Sequence, residues 1–387
     1  MDKVAIILDS LWVGGTERSI AELLPYIVEA KIHPIVICLR HRLEEGIENE
    51  VIRQNFDVRI LQKGNFLSQC TQLRQLINSE RPDLLHSSLF HANLVARFAR
   101  MRLGTPLLTS LVNSPYEAVR FRDPKISRWR LKIVQMVDGL TSRHLTTHFH
   151  AVSHFTKTTA IQSLKISDND ITVVERGRNP VRLGFASESR RNEARKELGL
   201  SPEQLVLVNV GRHEYQKGQK YLIEAVSELR STYPQLVLLI AGRKGASTEK
   251  LTRLTDELGL GTTVKFLGHT EEIPKILSAA DLFVLPSLFE GLPGAMIEAL
   301  ALSLPIIASD IPSNREVVDA NKNAVLVQPE SSKALATAIH FVLEDEQRRK
   351  TFSLASKKIF DERFNLDRVA PRMIQLYQDV ANMKQHR

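Results

Sequence analysis

The strongest constraint on the fold is a regular alternation of short apolar runs with segments of helical periodicity. In the first half of the chain the apolar runs fall at residues 4–8, 35–39, 58–61, 84–86, 107–111, 148–152 and 171–174. Amphipathic helical patterns separate most of these runs, at residues 17–29, 71–79, 92–102, 125–137 and 156–164. Short buried strands that alternate with helices are typical of a parallel sheet covered by helices on both faces.

The alternation stops once and then begins again. Residues 175–187 are polar and contain Gly177, Pro180 and Gly184, which predicts a linker. Apolar runs then return at residues 205–210, 237–241, 264–267, 282–285, 306–308 and 324–327, and the chain from about residue 332 has helical periodicity only. A chain of 387 residues is long enough for two domains. We predict two doubly wound α/β domains, 1–182 and 183–365, and a terminal helix over about 366–387 that packs back on the first domain.

Composition and charge narrow the class of protein. Apolar residues make up 43% and charged residues 25% of the chain, which excludes a disordered or coiled-coil protein. Lys and Arg outnumber Asp and Glu by 52 to 44, and the net charge of +8 allows an anionic partner. The two cysteines, Cys38 and Cys70, lack metal-ligand spacing, and no apolar stretch is long enough to span a membrane. We expect a cytoplasmic protein, whose membrane contact can only be peripheral.

The first candidate binding motif is Gly14-Gly15-Thr16-Glu17, which follows the first apolar run and opens a helix. Adjacent glycines let the backbone approach a ligand closely, and a helix N-terminus offers unpaired N–H groups to an anion such as phosphate. A tight turn that needs glycine explains the same residues equally well. The dinucleotide fingerprint G-x-G-x-x-G and the P-loop motif are both absent, which argues against dehydrogenases and P-loop ATPases.

A second motif at residues 211–218 reads GRHEYQKG and follows the first apolar run of the second half. Open parallel sheets bind ligands beyond the carboxyl ends of their strands, and Arg212 and Lys217 place two cations there. A planar guanidinium and a point-charge ammonium suit a diphosphate. Two solvated charges that flank a turn are an equally acceptable interpretation.

A third motif at residues 290–298 reads EGLPGAMIE and follows the apolar run at 282–285. Pro293 suits the first turn of a helix, and Gly291 keeps that helix end open to a ligand. Glu290 then lies in the loop and Glu298 on the helix, where each carboxylate can accept hydrogen bonds from a pair of sugar hydroxyls. Because the neighbours of Glu298 are apolar, we expect this carboxylate to have a partner.

Together, the motifs at 211–218 (G-R-x-x-x-Q-K-G) and 290–298 (E-x7-E) resemble the family 4 glycosyltransferases, which are retaining enzymes of the GT-B fold. Supporting matches, in the same order and spacing, are the glycine loop at 14–17, RPDLLH at 81–86, AVS at 151–153, VKFLG at 264–268 and the stretch 280–287. The resemblance implies two facing Rossmann-like domains with a cleft between them. It also implies transfer of a sugar, with retention, from a UDP- or GDP-linked donor to a saccharide or lipid-linked acceptor.

The resemblance assigns roles to individual residues and a biological context. Arg212, Lys217 and Glu290 would be catalytic, with the two cations on the donor diphosphate and Glu290 on the transferred sugar. Glu298 would bind the ribose hydroxyls. Further donor-binding residues would be Gly14, Gly15, Gly268, His269, Gly291, Leu292 and Pro293. Thr16, Glu17 and Asn113 would lie on the acceptor or sugar side. The implied context is bacterial polysaccharide or lipopolysaccharide synthesis, with no cofactor and no metal.

The sequence departs from the family pattern in two places. Val112 or Asn113 stands where many members carry a histidine aimed at the donor sugar, and GRKG at 242–245 replaces the usual Gly-x-Gly-Pro. The alternatives are a nucleotide-sugar epimerase or phosphorylase of the same fold, a dinucleotide-dependent oxidoreductase and a non-catalytic sugar-nucleotide-binding protein. The intact charged motifs argue against the last of these.

Two weaker signals concern other partners. The stretch from Arg120 to Lys132 interleaves basic and apolar residues, which fits either an amphipathic helix on an anionic membrane or a solvated helical face. The resemblance favours the inner face of the plasma membrane, because many relatives use lipid-linked acceptors, and no nucleic-acid module accompanies the stretch. The histidines at 144, 148, 150 and 154 lack a nearby carboxylate or cysteine, and DND at 168–170 lies in a polar loop, so we predict no metal site.

Overall fold

The computed structural model describes residues 1–12, 14–41, 46–123 and 126–383. The chain divides into two compact units, the first formed by residues 1–177 together with those from 366 onward, the second by residues 178–365. The division lies just before the predicted boundary at 182, because Arg178 is bound within the second unit. Its backbone N–H donates to the carbonyl oxygen of Phe364 at 2.9 Å.

Unit 1 is built on a parallel sheet with the strand order β3-β2-β1-β4-β5-β6-β7. The strands are β1 (Lys3–Leu8), β2 (His33–Cys38), β3 (Asp57–Ile60), β4 (Leu84–Ser88), β5 (Leu107–Leu111), β6 (His148–Ala151) and β7 (Ile171–Val173). Its helices before the division are α1 (Gly15–Glu29), α2 (Glu48–Arg53), α3 (Phe66–Glu80), α4 (Phe90–Ala99), α5 (Arg128–Leu145) and α6 (His154–Leu164). The strand order reverses beside β1, as in doubly wound sheets.

Unit 2 repeats this plan with the strand order β10-β9-β8-β11-β12-β13. The strands are β8 (Leu205–Val210), β9 (Leu236–Ala241), β10 (Val264–Gly268), β11 (Leu282–Leu285), β12 (Ile306–Ser309) and β13 (Ala324–Val327). The helices are α7 (Pro180–Leu183), α8 (Glu188–Glu197), α9 (Gln219–Leu229), α10 (Thr248–Glu257), α11 (Ile273–Ser278), α12 (Gly294–Ala301), α13 (Pro312–Arg315), α14 (Ser332–Leu343) and α15 (Glu346–Ile359). All strand pairs in this sheet are parallel.

The last helix, α16 (Leu366–Ala381), belongs to unit 1. Side chains of β1 point alternately to the two faces of the sheet, so Ile6 joins one hydrophobic cluster and Ile7 the other. Helices α1 and α16 cover the first face, where Leu376 and Tyr377 are buried. Helices α3 and α4 cover the second face. Strands that are buried on both sides read as continuous apolar runs, which is why they stand out in the sequence.

Three helical segments of unit 1 differ from the prediction by more than three residues. Helix α3 begins at Phe66, five residues before the predicted start at 71. Helix α5 reaches Leu145, beyond the predicted end at 137, and its first residue in the structure is Arg128; residue 125 lies outside the described residues. Gly139, a weak helix former, conceals the continuation. Gly139 is buried, and a Cβ there would lie 3.3 Å from the carbonyl oxygen of Leu164. Helix α2 was not predicted, since six residues are too few to display a helical period.

Buried histidines in unit 1 take part in a continuous chain of hydrogen bonds. The hydroxyl of Tyr377 lies 2.8 Å from His86 Nδ1, and His86 Nε2 lies 2.7 Å from Ser110 Oγ. Ser110 Oγ lies 2.8 Å from His150 Nδ1, and His150 Nε2 lies 2.8 Å from the carbonyl oxygen of Val174. A carbonyl can only accept, so with neutral imidazoles every link must donate in the direction from Tyr377 to Val174. The chain ties α16 to β4, β5 and β6.

We expect acidification below pH 6.5 to destabilise the protein through these histidines. Burial lowers the pKa of His86 to about 3 and that of His150 to about 4, whereas an exposed histidine titrates near 6.5. The unfolded chain therefore takes up protons first as the pH falls. The free energy of unfolding of the protein should therefore drop by up to about 1.4 kcal/mol per pH unit for each imidazole between about pH 6.5 and 4. Above about pH 7 these two histidines should not change it. Urea unfolding across this range measures the slope. His150→Gln should give a shallower slope than the native chain, and equal slopes would contradict the assignment.

Two further polar residues noted in the sequence, His148 and Asp168, have partners in unit 1. His148 Nε2 lies 2.8 Å from Thr172 Oγ1 on β7. Residues 168–170 form a single turn of 3-10 helix, and Asp168 pairs with Lys157 at 2.9 Å. Within the described ranges, no three His, Cys, Asp or Glu side chains are grouped so as to hold a metal ion. No described helix is both long and apolar enough to cross a membrane.

Candidate functional site

Three loops of unit 2 meet at the carboxyl edge of its sheet. The 211–218 loop follows β8, the 242–247 loop follows β9, and the 286–293 loop follows β11. Gly242 has a φ of 153°, and a Cβ there would overlap the carbonyl oxygen of Gly211. Gly218 has a φ of 60°, and a Cβ there would overlap the carbonyl oxygen of Pro286. Glycine is therefore required at both positions, and the loops pack backbone against backbone.

Lys217 and Glu290 form an ion pair between two of these loops. Lys217 Nζ lies 2.6 Å from Glu290 Oε1, and the two side chains are 19% and 9% exposed. Gln216 aligns the loops, because its backbone oxygen accepts from the N–H of Leu288 and its side-chain amide donates to the carbonyl oxygen of Phe289, each at 2.8 Å. The motifs at 211–218 and 290–298 are thus brought together by contacts that neither motif reveals alone.

Arg212 lies on the same 211–218 loop as Lys217. Its side chain is exposed and forms no ion pair with any residue that the structure describes. Its own carbonyl oxygen accepts from the N–H of Glu214 at 2.8 Å, which tightens the turn. The neighbouring His213 is buried and anchored to α10 through Thr248 Oγ1 at 3.2 Å. The loop therefore holds a guanidinium at the strand edge with its charge available to an anion.

Glu298 lies on α12, buried at 9% exposure. Its Oε1 accepts from Arg178 Nε at 2.8 Å and from Arg182 at 3.3 Å. Arg178 is only 1% exposed, although it lies in the stretch that the sequence analysis interprets as a linker. The carboxylate thus has the partner that its apolar neighbours require. Sequence reasoning missed Arg178 and Arg182, since a contact across 120 positions leaves no local pattern.

The remaining predicted donor residues of unit 2 lie in the same group of loops. Gly291, Leu292 and Pro293 are buried, and Pro293 is the N-cap of α12. Gly268 ends β10 with a φ of 69°, and its carbonyl oxygen accepts from the N–H of Gly242 at 2.8 Å. His269 follows it and is exposed.

The other predicted residues lie in unit 1. Gly14 is the N-cap of α1, and a Cβ there would overlap the carboxylate of Glu17, which is buried over the start of the helix. Gly15 and Thr16 are the first two residues of α1. Asn113 follows β5 and is exposed. The structure therefore places these residues at the carboxyl edge of the unit 1 sheet, after β1 and β5.

The unit 2 arrangement can bind a doubly charged, hydroxyl-bearing ligand. Arg212 offers a guanidinium to an anion. The ammonium group of Lys217 is paired with the carboxylate of Glu290, which a phosphate group can replace. Glu290, once released from Lys217, can accept hydrogen bonds from hydroxyls. The site lies at the carboxyl ends of parallel strands, where open α/β sheets bind their ligands.

Two family models match the sequence. The one described as Glycosyl transferases group 1 matches residues 190–359, and the one described as Glycosyltransferase Family 4 matches residues 13–182. Together they leave only residues 1–12, 183–189 and 360–387 unmatched. The first match contains the loops of unit 2, and the second contains nearly all of the strands of unit 1.

Individual proteins are similar at lower identity. The UDP-Gal:alpha-D-GlcNAc-diphosphoundecaprenol alpha-1,3-galactosyltransferase of Escherichia coli is 26% identical over 315 residues, which cover 80% of this chain and 78% of that protein. The D-inositol 3-phosphate glycosyltransferase of Corynebacterium urealyticum is 28% identical over 221 residues, and that match covers 55% of this chain and about half (52%) of that protein. The crystal structure of HepE from Anabaena, in complex with UDP and glucose, has a TM-score of 0.84 at 22% identity and covers 98% of this chain and 100% of that one.

Proposed function

Because this chain belongs to the family 4 glycosyltransferases and has the two parallel-sheet domains of a GT-B enzyme, we propose that it transfers a sugar from a nucleotide-sugar donor to a saccharide or lipid-linked acceptor with retention. The observation that supports the donor class is the Lys217–Glu290 pair beside the exposed Arg212. The proposed context is the synthesis of a bacterial polysaccharide or glycolipid.

In the proposed reaction the donor diphosphate binds Arg212 and draws Lys217 away from Glu290. The bond between the sugar C1 and the diphosphate oxygen breaks, and the acceptor hydroxyl oxygen bonds to C1 on the same face. The hydroxyl proton passes to the departing diphosphate. Both cations stabilise the negative charge that develops on the leaving group, and stabilisation of this kind is usually the largest single contribution to catalysis. Glu290 holds hydroxyls of the transferred sugar and Glu298 those of the ribose.

We further propose that the donor nucleotide carries uracil. The Escherichia coli relative is named for UDP-galactose, and the HepE crystals contain UDP. Thermal unfolding of the purified protein with UDP-, GDP-, ADP- and CMP-linked sugars tests this. A ligand present at about one hundred times its Kd should add about 2.7 kcal/mol of stability. A shift with UDP-sugars alone supports the proposal, a selective GDP shift corrects the base, and no shift with any of them contradicts the donor site.

The epimerase and the non-catalytic binding protein are not favoured. Two relatives are named as transferases, the galactosyltransferase of Escherichia coli and the D-inositol 3-phosphate glycosyltransferase of Corynebacterium urealyticum. An epimerase would convert the free donor without an acceptor. Following a radiolabelled UDP-sugar in the presence and absence of acceptor distinguishes the two reactions.

We propose that helix α5 contacts the cytoplasmic face of an anionic membrane. The predicted stretch from Arg120 to Lys132 contains the start of this helix; residues 124 and 125 lie outside the described residues. Apolar side chains along one face of α5 are 37–63% exposed: Trp129, Ile133, Met136, Val137 and Leu140. Exposed cations flank this apolar stripe: Arg122, Arg128, Arg130 and Lys132. An apolar stripe bordered by cations is typical of interfacial helices.

The double substitution Trp129→Ser and Ile133→Ser is expected to abolish most binding to vesicles. Binding to phosphatidylglycerol vesicles should exceed binding to phosphatidylcholine vesicles, since each cation near an anionic surface contributes about 1 kcal/mol, and salt should weaken it. Co-sedimentation measures the bound fraction. Leu354→Ser on α15, where the side chain is 75% exposed, is the matched control and should bind normally. Equal loss in both variants would refute a role for α5.

A further inference from the structure

Unit 1 contains a cavity of about 740 Å³ at the carboxyl ends of β4 and β5. Its walls are the start of α4, the loop that follows β5, the inner face of α5 and one face of α6. This volume lies within the ~300–1,000 Å³ typical of small-molecule sites. Leu89 at its rim has a φ of 78° and a ψ of 150°, a conformation that costs a non-glycine residue about 1–3 kcal/mol and is concentrated at functional sites.

Two acceptor atoms in the lining of this cavity are buried without a hydrogen bond. Asn93 is 8% exposed, and its Oδ1 has no partner among the described residues. The same holds for Oε2 of Glu117, and burial raises the pKa of that carboxyl. An unsatisfied buried acceptor costs about 1–3 kcal/mol, and more when it is charged. Such groups are uncommon in native proteins unless a ligand or water supplies the missing donor.

The other carboxylate in the lining of the cavity, that of Asp138, already has hydrogen-bond partners. Asp138 on α5 accepts from Arg97 at 2.7 Å and from the hydroxyl of Tyr116 at 2.8 Å. Its charge is balanced by Arg97, which is 1% exposed. Asp138 therefore forms a fixed, neutralised part of the wall, and the vacant hydrogen-bonding capacity belongs to Asn93 and Glu117.

The charges of the cavity select the class of ligand. Arg120 and Glu117 are the only charged lining residues besides the balanced Asp138, in the part of the chain that the structure describes, and their charges are opposite. A free anion would face the Glu117 carboxylate, and a free cation would face Arg120. A neutral ligand that carries several hydroxyl donors satisfies both vacant acceptors without either repulsion.

We propose that this cavity binds the saccharide head of the acceptor, with sugar hydroxyls donating to Glu117 Oε2 and Asn93 Oδ1. The proposal rests on the proposed transferase function and adds where the acceptor is held. The inner face of α5 lines the cavity through Leu131, Val134 and Gln135, while its outer face bears the apolar stripe. If α5 lies on the membrane, the cavity is adjacent to the membrane surface, where the saccharide of a lipid-linked acceptor would be found.

Glu117→Gln separates a binding role from a structural one. The substitution keeps the shape of the side chain and removes a buried charge that has no partner, so the thermal midpoint should stay the same or rise. A structural role predicts that it falls. The probes are octyl glucoside and octyl N-acetylglucosaminide at submicellar concentration, with an octyl polyethylene glycol ether to measure binding through the alkyl chain alone. Calorimetric titration of the full chain gives each affinity.

The native protein should bind both octyl glycosides and bind the ether at least tenfold more weakly. Glu117→Gln and Asn93→Leu should each lower glycoside affinity at least tenfold, and Glu29→Gln, an exposed position on α1, should leave it unchanged. The thermal shift by UDP should be the same in all variants, which separates this site from the donor site.

Native-like glycoside affinity in both cavity variants would overturn the proposal. A lack of glycoside binding by the native protein, or binding of inorganic diphosphate in the cavity, would also overturn it. If UDP does not shift the thermal midpoint of the native protein, but glycosides bind in a way that depends on Glu117, the proposed function alone would be overturned.

Discussion

Replacing Lys217 with alanine is expected to lower kcat/KM for glycosyl transfer at least a hundredfold, a loss of about 2.7 kcal/mol of transition-state stabilisation. The ammonium group is held 2.6 Å from Glu290 at the strand edge, where a departing diphosphate would need it. Its effect should fall mainly on kcat, because the charge on the leaving group is greatest in the transition state. Steady-state kinetics with a UDP-sugar and a lipid-linked acceptor measure both constants.

Lys220→Ala is the matched control for this prediction. Lys220 lies three positions further along the chain, its side chain is 59% exposed, and its nearest carboxylate, on Glu224, is 4.0 Å away. Exposed pairs of this kind contribute little to stability, so the control should retain native kinetics and a native thermal midpoint. Near-native transfer by Lys217→Ala would show that the diphosphate binds elsewhere.

Replacing Glu298 with alanine is expected to impair both folding and activity. The substitution leaves Arg178 buried without its carboxylate, and breaking a buried ion pair from one side costs about 3–5 kcal/mol. We expect a loss of this size in the free energy of unfolding, measured by urea denaturation. The carboxylate would also be lost to the ribose hydroxyls, so kcat/KM should fall at least a hundredfold.

A double variant separates the two effects of Glu298. Substituting Glu298→Leu together with Arg178→Met removes both buried charges and keeps the packing volume, which is often neutral for stability. The double variant should therefore regain most of the stability lost in Glu298→Ala while remaining inactive. A stable and active double variant would remove Glu298 from the donor site, and an unaltered stability in the single variant would contradict the buried pair.

Local sequence patterns predict the strands well and long-range contacts poorly. Each predicted strand is present within two residues of its expected ends, because most of the strands are buried and rich in apolar residues. The loop at 211–218 was also predictable from its glycines. The close backbone approach that requires glycine at Gly218 and Gly242 is visible only in the structure. The partnership of Arg178 with Glu298 was not predictable, because the two residues are far apart in the chain and the stretch around Arg178 is polar. The vacant acceptors at Asn93 and Glu117 emerge only when four elements enclose a common space.

The return of the last helix to the first unit reverses the order in which the two units can be completed during synthesis. Residues 178–365 form a continuous unit, whereas the first unit lacks one wall until α16 has left the ribosome. At about 5–20 residues per second, that interval lasts many seconds. Throughout it, the face of β1 and α1 that Leu376 and Tyr377 later cover is open to solvent. The domain begun first is thus finished last, and a chain that terminates before residue 366 would leave the ribosome with an uncovered apolar sheet, the substrate that chaperones and proteases recognise.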